Sequence, residues 1–182
     1  TQSKLDPADL DLIIVATITP DMPFPATACL VQQELGASKA AAFDLEAACS
    51  GFIYALEVGR AFIASGIYQN VLIIGAEKLS SIIDWQDRNT CVLFGDGAGA
   101  AVLQQREGAC AVLATRLGSD GKKADILAMP GGGCRQPATV DSVNERIHFL
   151  KMEGKEVYKN AVTAMTAAAK DVLERSGVSI ED

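Results

Sequence analysis

The chain has 182 residues, 49% apolar and only 5% aromatic, with 16 basic against 23 acidic side chains and a net charge of −7. This length allows one domain or parts of two, with a core packed from Ala, Val, Leu and Ile. No basic block is present, which argues against a nucleic-acid partner; no apolar run reaches the ~18 residues of a membrane helix, and no signal peptide is expected.

Residues 12–16 are continuously apolar, as expected of a parallel strand covered on both faces. A loop with three prolines follows (19–25), and 26–35 then reads as a helix that Gly36 stops. A strand over 41–47 breaks at Cys49 into a helix over 50–65, apolar almost all round and so expected to be central and buried. Residues 71–75 form the next buried strand. Strand, helix, strand, helix, strand implies parallel pairing in a layered α/β domain. Residues 91–94 and 98–103, around Gly95-Asp96-Gly97, read as an antiparallel hairpin.

The composition shifts near residues 104–108. We therefore expect an N-terminal unit, 1–107, and a second unit from 108 to 182 that opens on a strand over 111–115. Residues 118–144 are loop-rich, 146–150 alternate like an edge strand, and 154–175 form a long amphipathic helix that Gly177 stops. The closing Gly177-Val178-Ser179-Ile180-Glu181-Asp182 is similar to the opening Leu5-Asp6-Pro7-Ala8-Asp9-Leu10. This suggests two related halves, the second ending where its next strand would begin.

The five cysteines are Cys29, Cys49, Cys91, Cys110 and Cys134. An odd count without C-x-x-C spacing speaks against a disulfide framework or a zinc site and for a reduced, cytoplasmic setting. No metal or cofactor is expected. Cys49 stands apart from the others because it sits where a strand breaks into a helix. Unpaired backbone N–H groups and the positive dipole end there favour the thiolate, which is the nucleophilic form. The bland alternative is a small buried apolar residue.

Three other features carry less. Gly95-x-Gly97-x-x-Ala100 has the letters of a dinucleotide fingerprint, but that mechanism needs a helix after the glycines, and strand-like residues follow here. His148, the only histidine, has nothing in the sequence to bring it to Cys49. Asp84, Asp87 and Arg88 form either a solvated loop or a rim for a charged ligand, with Arg88 as the phosphate or adenine partner.

The runs Phe43-Asp44-Leu45-Glu46-Ala47-Ala48-Cys49-Ser50-Gly51-Phe52 and Asp87-Arg88-Asn89-Thr90-Cys91-Val92-Leu93-Phe94-Gly95-Asp96-Gly97-Ala98-Gly99-Ala100, with Met152-Glu153-Gly154-Lys155-Glu156-Val157-Tyr158-Lys159, resemble β-ketoacyl-acyl carrier protein synthase III. That family initiates bacterial fatty acid synthesis. The resemblance covers essentially the whole chain. It implies an α/β, thiolase-like fold layered α-β-α-β-α with mixed sheets, the second half incomplete here. It also implies an acyltransferase, usually a homodimer, that condenses a short acyl-CoA with malonyl-acyl carrier protein.

By position, Cys49 matches the nucleophile, whose own N–H would also donate to the oxyanion. Arg88 matches a contact to the CoA nucleotide end, and Met152, Gly154 and Tyr158 match residues lining the pantetheine tunnel. Leu79 matches an acyl-pocket wall, and Phe24 a residue that crosses the dimer interface. The family's catalytic His and Asn, its second oxyanion donor and its adenine-sandwiching tryptophan fall outside these residues. The chain is thus expected to be truncated at both ends and unable to condense by itself. Two other readings remain at this level: a related enzyme of a secondary pathway, and a non-catalytic dimerisation module of the same fold.

Overall fold

The computed structural model describes residues 3–106 and 111–181. Its contacts divide the chain into two units, Thr1–Glu77 with Asp96–Thr115 and Lys78–Gly95 with Arg116–Asp182. The sequence-based boundary at 107/108 and Cys110 lie outside the described residues.

The first unit is built on a four-stranded sheet. Strand β1 (Leu12–Ala16) lies between β2 (Ala41–Leu45) and β3 (Asn70–Lys78), and β4 (Asp96–Gln104) flanks β3. Both neighbours of β1 run parallel to it, with Ile14 opposite Phe43 on one side and Ile73 on the other. The side chain of Gln104, at the end of β4, donates to Asn70 at the start of β3. β4 therefore runs against the other three strands and the sheet is mixed.

All five residues of β1 are buried. Because side chains alternate along a strand, Ile13 and Val15 join a core with Ala28 and Val31 of helix α1 (Thr27–Leu35). Leu12, Ile14 and Ala16 face the other way, onto Ala55, Leu56 and Phe62 of helix α2 (Gly51–Ala64). The small residues of α2 allow a close approach. A Cβ on Gly59 would stand 2.9 Å from Leu103 Cδ1 and 3.2 Å from Val71 Cγ1.

Helix α1 has no capping side chain of its own at Ala26. Its first N–H groups are taken instead by Asp44 of β2, whose two carboxylate oxygens accept from Thr27 N–H at 2.7 Å and Ala28 N–H at 2.8 Å. A carboxylate suits the positive end of a helix, and here it also ties helix to strand.

In the second unit a two-stranded antiparallel ribbon joins β5 (Leu127–Ala128) to β6 (Lys151–Met152). The short helix α3 (Val140–Asn144) is closed by a reciprocal capping box between Thr139 and Ser142. The 23-residue helix α4 (Gly154–Ser176) ends on Gly177 in the left-handed conformation. Among the described residues no helix is long and apolar enough to cross a membrane. The two turns paired by sequence share one device: Asp6 Oδ1 accepts from Ala8 N–H at 3.0 Å, and Ser179 Oγ accepts from Glu181 N–H at 3.2 Å.

Four expectations are corrected. Residues 91–94 form a turn rather than half of a hairpin, because Asp87 gathers the preceding backbone: its carbonyl accepts from Thr90 and Cys91 N–H, its side chain from Asn89 N–H. Such local bonds compete with a strand ladder. Residues 146–150 also form a turn, not an edge strand; Arg146 is left-handed at φ 58°, and the Ile147 carbonyl is taken by Gly131 N–H. Residues 111–115 make no strand, and Thr115 Oγ1 instead donates to Glu57 at 2.6 Å. Helix α2 is not wholly buried, since Phe52 and Ile53 are exposed.

The Asp44 cap yields a stability prediction. Asp44→Ala should lower the unfolding free energy by about 1–2 kcal/mol, seen as a lower urea midpoint at unchanged slope. Asp44→Asn, which keeps one acceptor, should lose less.

Candidate active site

Cys49 lies in a 3-10 turn, Ala48–Ser50, between the end of β2 and the start of α2. The preceding Ala48 is left-handed, at φ 44°. An alanine there is uncommon and strained, and the kink swings the next residue out, leaving Cys49 exposed. The strained junction is held by its neighbours. Gly51, the first residue of α2, is pressed on β1 so closely that a Cβ would lie 3.1 Å from Ala16 Cβ. The Phe52 ring fills the space a side chain at Gly75 would need, 3.2 Å from that missing Cβ.

The result is a cavity of about 260 Å³ lined by Cys49, Phe52, Gly75, Glu77, Gly97 and Gly99 among others. Its walls are largely backbone and small side chains. Sequence reasoning missed Glu77, whose carboxylate fastens the start of the proline-rich loop. Oε1 accepts from Ile18 N–H at 3.0 Å and Oε2 from the Thr19 hydroxyl at 2.6 Å. Nothing local in the sequence marks this, because the partners lie nearly sixty residues apart. Gly97 and Gly99 sit in strand β4 and not before a helix, so the dinucleotide letters have no phosphate site behind them.

In the second unit Met152, Gly154 and Tyr158 come together with Asn89, Leu93 and Lys155 around a cavity of about 710 Å³. Arg88 is exposed in the turn beside Asn89. Leu79 is half-buried in the 3-10 turn Leu79–Ser81, and Phe24, in the proline-rich loop, is 82% exposed; neither lines these two cavities. His148 Nε2 lies 2.8 Å from Ser142 Oγ, against Gly131 and Gly132. This makes it a structural partner of the α3 cap.

Asp84 is not part of a solvated loop. It is 5% exposed, accepts from Arg146 Nε at 3.0 Å and from Arg146 Nη2, and has Lys151 Nζ at 3.7 Å. The Arg146 hydrogen bonds, then the Gln86 N–H, hold its carboxyl down at about 2 against the opposing effect of burial. The Asp84 bonds raise Arg146 in turn.

The sequence profile of the family described as 3-oxoacyl-[acyl-carrier-protein (ACP)] synthase III matches residues 43–121. The chain is 56% identical over 180 residues to β-ketoacyl-[acyl-carrier-protein] synthase III of Caldanaerobacter subterraneus subsp. tengcongensis, covering 99% of this chain and 54% of that protein. The protein of the same name from Desulfitobacterium hafniense (strain Y51) is 54% identical, with the same coverage of each. The crystal structure of 3-oxoacyl-[acyl-carrier-protein] synthase III from Aquifex aeolicus VF5 superposes with a TM-score of 0.88 at 47% identity, over 99% of this chain and 54% of that one. The chain thus spans about half the length of the curated relatives it matches.

The Asp84 pair makes acid stability a direct readout. An unfolded aspartate takes up its proton near pH 3.9, whereas Asp84 does so near 2. Unfolding therefore binds a proton between those values, and stability falls as the pH is lowered through that window. Urea midpoints followed from about pH 5 to pH 2 should drop more steeply in the wild type than in Asp84→Asn.

Proposed function

This chain belongs to the β-ketoacyl-[acyl-carrier-protein] synthase III family and has its thiolase-like α/β fold, and from that premise we propose that the protein carrying it is an acyltransferase initiating fatty acid synthesis. It condenses a short acyl-CoA, acetyl-CoA foremost, with malonyl-acyl carrier protein. The observation that carries the reading is Cys49: an exposed thiol set by a strained Ala48 at the start of a 14-residue helix, opening on a small cavity.

In this reading the Cys49 thiolate attacks the acyl-CoA carbonyl, its own backbone N–H stabilises the oxyanion, and CoA leaves as the thiolate and takes up a proton. Malonyl-acyl carrier protein then loses CO2, and the resulting carbanion attacks the acyl-Cys49 thioester. The new carbon–carbon bond gives the 3-oxoacyl product and returns the Cys49 thiolate. Arg88 meets the nucleotide end of CoA, Met152, Gly154 and Tyr158 line the path of the pantetheine arm, and Leu79 walls the acyl pocket. Phe24, so largely exposed, is assigned to a homodimer interface, where it reaches toward the acyl pocket of the partner. Residues 1–107 and 108–182 are read as related halves, in keeping with the like turns at Asp6 and Ser179. A cytoplasmic setting without membrane or nucleic-acid partners completes the reading. The fatty-acid assignment, rather than a secondary pathway, is supported by curated relatives above 50% identity that carry the synthase III name.

The test is acyl transfer itself. Incubated with acetyl-CoA, the protein should gain one acetyl group on the peptide containing Cys49, and Cys49→Ala should lose condensation by on the order of 10³-fold or more. Iodoacetamide should alkylate Cys49 at least ~10-fold faster than Cys29 or Cys134 at neutral pH. Equal labelling of the three, with no acetyl on Cys49, would leave the non-catalytic module as the better reading.

A further inference from the structure

We propose that Asp84 is a positioning residue for substrate binding: its carboxylate, clasped by Arg146, fixes the turn that presents Arg88 relative to the wall of the 710 Å³ cavity. The inference rests on the reading of Arg88 as the contact to the CoA nucleotide.

The connections run in both directions from one buried carboxylate. Toward Arg88, the Asp84 side chain accepts from Gln86 N–H at 2.9 Å and its carbonyl accepts from Asp87 N–H at 2.9 Å. Asp87 then closes over the arginine. Its side chain accepts from Asn89 N–H at 3.0 Å and from the Thr90 hydroxyl at 3.0 Å, and its carbonyl accepts from Thr90 and Cys91 N–H. Thr90 is wholly buried. Arg88 is thus an exposed side chain on a backbone fastened on both sides. Toward the cavity wall, Asp84 faces Lys151 of β6, whose neighbour Met152 lines the cavity, and Leu150 N–H donates to the Ile82 carbonyl at 2.9 Å.

Arg146 is shaped for this clasp. Its left-handed backbone turns the side chain back over the Phe149 ring, 4.9 Å from the centroid, and its planar fork meets both oxygens of Asp84. A two-pronged bond fixes orientation as well as distance, which a lysine ammonium cannot do. With the carboxyl held near 2, the clasp stays ionised throughout the neutral range.

The experiment compares two thioesters with the protein carrying this sequence: acetyl-CoA, and acetyl-pantetheine, which lacks the nucleotide. The variants are Asp84→Asn, Arg146→Lys and Arg88→Ala. Each is expected to raise KM for acetyl-CoA about tenfold, the scale of one charged hydrogen bond, with kcat and the KM for acetyl-pantetheine within about twofold. An equal rise for both thioesters would make the clasp a general support of the fold and overturn the proposal. So would an unchanged acetyl-CoA KM in the two clasp variants beside a raised one in Arg88→Ala. If Arg88→Ala fails to separate the two thioesters, the Arg88 reading falls first and takes the proposal with it. Should Asp84→Asn not fold, Arg146→Lys decides alone, since it keeps the charge and removes only the fork.

Discussion

Strand β1 has no face turned to water, and the first unit is arranged around that fact. Five apolar residues in a row must be covered above and below, since apolar burial contributes roughly 25 cal/mol per Å². Helix α1 covers the Ile13 and Val15 face and α2 the Leu12, Ile14 and Ala16 face. A helix laid this tightly on a sheet needs small residues at the contact, and Gly51 and Gly59 supply them. Once α2 is seated, the chain leaving β2 at Leu45 has only residues 46–50, ending in the 3-10 turn Ala48–Ser50, in which to enter it. The left-handed Ala48 follows from that short connection, and the exposure of Cys49 follows from Ala48.

The second unit is organised by charge where the first is organised by packing. None of the residues of α4 is buried, and the ordered elements around Arg88 hang on the Asp84 carboxylate. A buried ion pair is a poor source of net stability, because desolvating both charges offsets their attraction. Its value lies in geometry: a fork bond between groups 62 residues apart specifies one arrangement of two chain segments. That is what a binding surface needs and what a strand-and-helix core supplies only indirectly.

The elements read correctly from sequence are those whose burial is complete or whose ends carry backbone signals. Residues 12–16 and 71–73 are apolar because both faces are covered, and Gly36 and Gly177 mark helix ends through their positive φ. Cys49 was legible because the change from strand to helix pattern surrounds it. The misread segments, 91–94, 111–115 and 146–150, are apolar or alternating runs whose hydrogen bonds are made outside any strand ladder. Asp87 draws in the backbone of the first and Gly131 takes a carbonyl of the third, while in the second the Thr115 side chain turns to Glu57. Alternation records which side chains prefer shelter; it does not record where the backbone partners lie. Glu77 and Asp84 were illegible as anchors for the same reason, since a carboxylate looks alike whether solvated or locked to a residue sixty positions away. Ala48 gave no signal because alanine seldom adopts a positive φ.

The position of the Cys49 cavity has a general cause. In open α/β sheets the crevice outside the carboxyl ends of parallel strands is where ligands bind. Ala16 ends β1, Gly75 and Glu77 lie toward the end of β3, and Cys49 lies four residues beyond the end of β2. The antiparallel β4 starts at this same edge, and it does so with Gly97 and Gly99, which bring no side chains into the space. Glu77 of β3, which lines this cavity, also secures the start of the proline-rich loop. Apart from the Phe52 ring and the Glu77 carboxylate, the cavity is walled by glycine, alanine, the cysteine itself and backbone, so the space beside the thiol is set by the sheet and not by long side chains.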